Sequence, residues 1–296
     1  MSGTTGLVGQ ALCERLEHDG YEILKMVRRP VVRDEEIEWD ADRGLIDPDR
    51  LNGTDAFVHL AGENIAKGRW TATKKKRIRE SRVHGTQAVA AALASLAKPP
   101  RVLIAASAIG YYGDRGDEWC LEASAPGEGF LSDVCVQWER ASQPAADTGI
   151  RVVNLRIGVV LSCRGGALKK MLPPFRFGVG GRIGRGTQYW SWLTLDDLVR
   201  VIIHCLADES LSGPVNAVSP QPVTNLQFTQ ALGRALHRPT WFPMPAPVAH
   251  IVFGKMGDSL ILASTRVQPG KLNECGFSFQ HATLEDALQH LISPLS

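Results

Sequence analysis

The residues best suited to chemistry stand at the very start of the chain. Gly3, Gly6 and Gly9 form G-x-x-G-x-x-G, reading Gly3-Thr4-Thr5-Gly6-Leu7-Val8-Gly9, at the mouth of an amphipathic stretch. Glycine there permits a tight turn and lets backbone N–H groups approach a pyrophosphate, to which a helix N-terminus adds partial positive charge. The triplet alone also fits a plain glycine-rich turn. What strengthens it is the order that follows, a helix, then a strand, then Arg28-Arg29-Pro30. In NAD-binding folds an acidic residue at that strand end bonds the ribose 2′-OH. Two arginines suit a 2′-phosphate instead, which a carboxylate would repel. The pair predicts NADP(H) over NAD(H), with Arg28 the stronger candidate and two solvated strand-end arginines the plain alternative.

Other candidates lie further along. Glu63 and Asn64 follow a strand's C-terminal end, where open α/β sheets bind ligands. Trp190 and Trp192 either wall a substrate pocket or staple the second half of the chain. Asp133 and Glu139 read as helix-surface groups, and His59 as a packed strand residue. Lys74-Lys75-Lys76-Arg77 reads as a solvated helix start rather than a nucleic-acid contact. No His/Cys/Asp cluster has metal-ligand spacing, so no metal is expected.

These residues need elements to hold them. Helices are predicted over Leu7–His18, Ile78–Leu96, Phe130–Gln143 (stopped by Pro144), Leu195–Leu206 and Asn225–Leu236. Strands are predicted over Tyr21–Val27, Ala56–Ala61, Arg101–Ala106 and Arg151–Arg156. That alternation predicts an α/β, Rossmann-like, doubly wound parallel sheet. After Cys163 a Gly/Pro-rich region runs through Gly165-Gly166, Pro173-Pro174 and Gly178 to Gly186, and a Pro-rich stretch spans Pro239 to Pro247. The expected organisation is a dinucleotide-binding domain over 1–163, with 195–220 returning to it, and a smaller substrate lobe with a helical C-terminal domain over 164–296.

The sheet's first strand is short of residues. Only Met1-Ser2 precedes the glycine loop, where a buried central strand is expected. Losing four or five buried apolar residues forfeits on the order of 6–15 kcal/mol, against about 5–15 kcal/mol for a whole domain. The sequence therefore predicts that the first strand is truncated and that the natural chain starts further upstream.

Composition bounds the rest. The chain has 296 residues, 44% hydrophobic and 22% charged, with a formal net charge of +2. Those values fit a globular protein and give no electrostatic footprint for nucleic acid or an anionic membrane. Six cysteines without a CxxC pair suggest a reduced, cytoplasmic setting. No apolar run approaches a membrane span, and no signal peptide is evident. The expected partner is a small-molecule substrate, and oligomeric state is not legible.

Taken together, three stretches resemble the extended and atypical short-chain dehydrogenases. They are the glycine loop, His59-Leu60-Ala61-Gly62-Glu63-Asn64-Ile65, and Ala106-Ser107-Ala108-Ile109-Gly110-Tyr111-Tyr112-Gly113. With Leu155 to Leu161 and Trp190 to Leu198, the whole chain resembles the "epimerase family protein" group, NAD-dependent epimerase/dehydratase-like proteins with a C-terminal domain of unknown function. That resemblance implies cofactor contacts at the glycine loop, Arg28, Leu60, Ala61, Gly62, Arg82 and the backbone near Val160.

It also exposes a departure. Such dehydrogenases pair a Ser/Thr with Y-x-x-x-K, in which lysine and the cofactor ribose lower the tyrosine pKa for proton exchange. Here the corresponding helix carries Leu131 and Cys135 at those positions and contains no Tyr or Lys. Ser107, or Ala108 in another alignment, stands where the Ser/Thr is expected, and Tyr111 and Tyr112 just beyond it are alternative proton donors. Two functions follow. One is an NADP(H)-dependent oxidoreductase or epimerase-like enzyme with an atypical acid/base, and the other is a nonenzymatic NADP(H)-binding sensor or scaffold.

Overall fold

A computed structural model describes residues 1–40, 45–245, 248 and 261–293. In chain order its first elements are α1 (Leu7–His18), β1 (Lys25–Val27), β2 (Glu36–Asp40), β3 (Leu45–Ile46), β4 (Ala56–His59), α2 (Ala72–Ala94) and β5 (Val102–Ala108). A 3-10 turn at Ile109–Tyr112 leads to β6 (Trp119–Cys120), α3 (Phe130–Arg140), α4 (Gln143–Asp147), β7 (Arg151–Ile157) and β8 (Val159–Leu161). Then come α5 (Gly166–Arg176), β9 (Tyr189–Trp190), β10 (Trp192–Thr194), α6 (Leu195–Ala207), β11 (Gly213–Ala217), β12 (Val223–Thr224) and α7 (Asn225–Leu236). The last are β13 (Arg266–Val267), α8 (Gly270–Glu274) and α9 (Leu284–Ile292).

The chain forms two units and crosses between them repeatedly. The first comprises 1–107, 133–156 and 199–215, and the second 108–132, 157–198 and 216–296.

The first unit holds the parallel sheet. Strands β11, β7, β5 and β4 are neighbours in that order, and β4 pairs parallel with β5. Strand β1 pairs parallel with β2, which pairs antiparallel with β3. Ser2 joins the two groups through parallel bridges to Met26 in β1 and His59 in β4. The order β2, β1, Ser2, β4, β5, β7, β11 places the switch in chain direction at Ser2, where the glycine loop leaves the sheet. That is the position at which open α/β sheets bind ligands. Where the first full strand was expected, Met1 O accepts Met26 N–H on one side and Ser2 N–H donates to Val58 O on the other. Phe57 of β4, Leu103 and Ala105 of β5, and Val89, Ala90 and Leu93 of α2 share one buried core with Trp39 and Ile150.

In the second unit β8 pairs parallel with β10, β9 antiparallel with β12, and β13 parallel with β6. Helices α5, α7 and α9 pack Leu168, Leu172, Phe228, Leu232, Leu284 and Leu288 into one cluster.

Several boundaries differ from the sequence reading, each for a physical reason. The strand expected from Tyr21 pairs only over Lys25–Val27, because Tyr21 N still donates to Leu16 O in the turn after α1. Helix α2 starts six residues before Ile78, capped by Thr71, whose Oγ1 accepts Lys74 N–H. The helix from Phe130 ends at Arg140, and Pro144 sits in the first turn of α4, where its missing N–H costs nothing. Pro173 and Pro174 lie inside α5, behind the exposed Lys169 and Lys170, whose carbonyls can turn to water. The Pro-rich stretch 239–247 is described to residue 245. No helix among the described residues is long and apolar enough to cross a membrane.

Candidate functional site

The glycine loop is built by close approach. Gly3 adopts φ +74°, in the left-handed region that favours glycine, and a Cβ there would lie 2.6 Å from the Leu60 carbonyl carbon. A Cβ on Gly9 would lie 2.2 Å from Gly3 O. Those two positions therefore seat the start of α1 against the end of β4. Gly6 is the N-cap and brings no side chain to the first-turn N–H groups, nor is there an acidic residue in that turn. A Cβ on Gly6 would meet only Gly3 O, at 3.3 Å, and otherwise open space. The result is an uncapped helix N-terminus beside the switch point, with Thr5 exposed and Thr4, Leu7 and Val8 partly so. This arrangement fits the pyrophosphate of a dinucleotide.

The two arginines after β1 separate in role. Arg29 forms a bidentate pair with Glu36, Nη2–Oε1 2.5 Å and Nη1–Oε2 2.9 Å. That guanidinium first, then the Val32 N–H, holds the Glu36 carboxyl down to about 2. Arg29 is thus committed to a protein carboxylate, which argues against the phosphate role expected of it. Arg28 is exposed and makes no hydrogen bond or ion pair among the described residues.

Beyond β4, Leu60 N donates to Ser2 O, Ala61 is half-buried and Gly62 exposed. Arg82 on α2 braces this exit. Its Nη1 donates to Glu63 O and Ile78 O, and its guanidinium lies 4.9 Å from the centroid of a Trp138 ring. Burial lowers the Arg82 pKa. A Cβ on Gly62 would sit 3.5 Å from the Arg82 Cζ, so Gly62 and Arg82 pack as a pair. Glu63 and Asn64 serve the loop itself. Glu63 Oε1 accepts from Lys74 Nζ at 2.5 Å, and Asn64 Oδ1 accepts from Ala66 N. Lys74 is accordingly buried, a correction to its reading as part of a solvated run. His59 is fully buried, its Nδ1 2.6 Å from Ser2 Oγ, and burial holds its pKa at about 4.

The end of β5 holds an arrangement the sequence did not suggest. Ser107 Oγ donates to Glu139 Oε1 at 2.7 Å, and Arg156 grips the same carboxylate through Nε–Oε1 and Nη2–Oε2, both 2.8 Å. Only 13% of the Glu139 side chain and 3% of Arg156 are exposed. Glu139 is therefore no surface group. Its place on α3, four residues and one turn beyond Cys135, turns it toward the sheet, where Arg156 on β7 meets it. The available signal was a charge on each of two faces that otherwise bury apolar residues. Because the Ser107 hydroxyl donates to Glu139, the serine is left with lone pairs rather than its proton for any further partner.

The remaining candidates lie in the second unit. Tyr112 is fully buried and its hydroxyl donates to Asn216 Oδ1 at 2.6 Å, which makes it a core residue rather than a proton donor to a ligand. Tyr111 is partly exposed and meets the Tyr112 ring edge-on at 5.4 Å. Trp190 and Trp192 both join the core cluster, their N–H groups donating to Ile261 O and Gln221 O, so they staple this unit. Val160 pairs with Leu193 between β8 and β10.

Comparison with known proteins gives a consistent set of relatives. A family model described as the NAD dependent epimerase/dehydratase family matches residues 1–217, and a domain of unknown function matches 244–291. An epimerase family protein of Mycobacterium bovis is 43% identical over 288 residues, 97% of this chain and 95% of that one. The crystal structure of human epimerase family protein SDR39U1 with NADPH superposes with a TM-score of 0.91 at 34% identity, covering 99% of this chain and 98% of that chain. A nucleoside-diphosphate sugar epimerase from Corynebacterium glutamicum gives 0.82 at 36% identity, over 98% of this chain and 57% of its own.

Proposed function

The chain belongs to the NAD dependent epimerase/dehydratase family, and from that premise we propose that it is an NADP(H)-binding oxidoreductase or epimerase-like protein acting on a small organic substrate. The observation that carries this reading is the uncapped glycine-rich N-terminus of α1 at the sheet's switch point, with Arg28 exposed and unpaired among the described residues at the end of β1. The N–H groups of the first turn of α1 would hold the pyrophosphate, and Arg28 the 2′-phosphate. Leu60 to Gly62 would lie along the ribose side, with Arg82 fixing that loop as a positioning residue. The NADPH in the human relative's structure supports the same choice of cofactor.

When bound, the nicotinamide supplies or accepts a hydride. The chain's part is to bind, orient and manage a proton at the substrate oxygen. Ser107 is held in place by Glu139 and Arg156, and can orient a donor group by accepting its hydrogen bond. Proton delivery falls to Tyr111 or to the substrate's own surroundings.

A second reading has one observation in its favour. The Ser107 proton is committed to a carboxylate paired with Arg156, and α3 offers Leu131 and Cys135 in place of Tyr and Lys. That suits an NADP(H)-binding sensor or scaffold. Titrating NADPH and NADH into the purified chain, then screening small carbonyl and alcohol substrates, separates the outcomes. Tighter NADPH binding with reproducible turnover supports the enzyme, tight binding without turnover supports the sensor, and no binding of either dinucleotide refutes both.

A further inference from the structure

Away from the glycine loop, three residues of the second unit converge. Asp196 lies in the first turn of α6, His290 in the last turn of α9, and His281 just before the N-cap of α9. One ligand atom from each lies within 4.8 Å of the others. We propose that Asp196, His281 and His290 form a site for a divalent transition-metal ion.

His281 is the fixed member. Its backbone N–H donates to Asp197 Oδ2 at 2.9 Å, and the preceding Gln280 N–H to Oδ1 at 2.7 Å, so a buried carboxylate anchors the segment. Its ring Nδ1 lies 2.7 Å from Asp286 Oδ2. With the carboxylate accepting that hydrogen bond, Nδ1 is the donor and Nε2 is the ring nitrogen left to bind an ion. Only 7% of the His281 side chain is exposed, and Nε2 has no hydrogen-bond partner among the described residues. A buried nitrogen without a partner is costly, and a carboxylate behind a histidine, fixing its tautomer, is the arrangement that accompanies metal-binding imidazoles.

The other two members can adjust. Asp196 and His290 are 52% and 47% exposed and now bond each other, His290 Nε2 to Asp196 Oδ2 at 3.1 Å. The His281 and His290 rings lie nearly parallel with centroids 4.4 Å apart. Ligands around a tetrahedral ion at about 2.0–2.1 Å stand roughly 3.4 Å apart. The ligand atoms therefore close by on the order of 1 Å, and His290, whose lone pair lies in its ring plane, turns out of the stack to aim at the ion, a movement open to a half-exposed side chain beside a held one. Two imidazoles and one carboxylate favour zinc, cobalt, nickel or copper over magnesium or calcium, which take oxygen ligands. The carboxylates of Asp196, Asp197 and Asp286 supply the compensating charge. With three protein ligands a fourth position stays open to water, and the ion would tie the start of α6 to both ends of α9.

Titrating CoCl2 into the metal-stripped full chain, followed by d–d absorption and checked by Zn2+ competition, tests the site. Expected is one ion per chain, without sulfur-to-cobalt charge transfer. Asp196→Asn and His290→Gln are surface changes that leave the fold intact, and each is expected to weaken binding at least tenfold. Asp286→Asn, which touches only the orienting carboxylate, is expected to weaken it about 10–100-fold. No binding, sulfur charge transfer, or equal affinity in Asp196→Asn and His290→Gln would overturn the proposal.

Discussion

Removing Glu139 isolates the most consequential group that the sequence reading misplaced. Arg156 is almost wholly buried, and its guanidinium meets one carboxylate through two bonds of 2.8 Å. Glu139→Leu removes the carboxylate that this charge pairs with, together with the Ser107 acceptor. Breaking a buried pair from one side costs about 3–5 kcal/mol, whereas replacing both partners by apolar groups is often near neutral. Urea denaturation followed by circular dichroism should therefore show Glu139→Leu losing about 3–5 kcal/mol. The double variant Glu139→Leu/Arg156→Met should recover most of that loss, giving a large coupling in the double-mutant cycle. Ser107→Ala deletes one hydrogen bond to a charged group and should cost about 1.5–3 kcal/mol. A loss below about 1 kcal/mol for Glu139→Leu, or a double variant as unstable as the sum of the singles, would refute the placement of this cluster as a buried, mutually dependent unit.

Three further outcomes follow from the geometry. Gly9→Ala drives a Cβ to 2.2 Å from Gly3 O, so calorimetry should show a lowered melting temperature together with lost NADPH binding. His59 is held at about 4 by burial, with a smaller push from the Met1 amine, against an ordinary 6.5. Between those values the unfolded chain takes up a proton that the folded chain refuses, so stability falls as pH drops from 6.5 toward 4, by up to about 3 kcal/mol. His59→Leu should flatten that part of the stability–pH curve relative to the parent. Tyr112→Phe strands Asn216 Oδ1 in the core and should cost about 1–3 kcal/mol in denaturation, while leaving NADPH affinity unchanged.

Local signals carried the parts of this molecule that could be read in advance. The glycine spacing and the apolar period of α1 lie within a dozen residues, and α1 and α7 fall where the sequence reading put them. Helix α2 was read as starting late because Lys74 to Arg77 looks like solvated charge, yet Lys74 turns inward to Glu63. Arg28 and Arg29 are adjacent and chemically alike, and only the approach of Glu36 seven residues on distinguishes them. Glu139 with Arg156, and Asp196 with His281 and His290, join different elements across 17 and more than 80 residues, so no local pattern could pair them.

The proposed choice of NADPH rests on Arg28, while Arg29 pairs with Glu36. The ratio of NADPH to NADH affinity, measured by fluorescence titration in Arg28→Ala beside Arg29→Ala, tests it most directly. A lost charge-assisted contact to phosphate is worth about 1.5–3 kcal/mol, at least tenfold. The expected result is that Arg28→Ala erases the NADPH preference and leaves NADH binding unchanged, while Arg29→Ala keeps the preference. Unchanged preference in Arg28→Ala, or its loss in Arg29→Ala alone, would contradict the assignment.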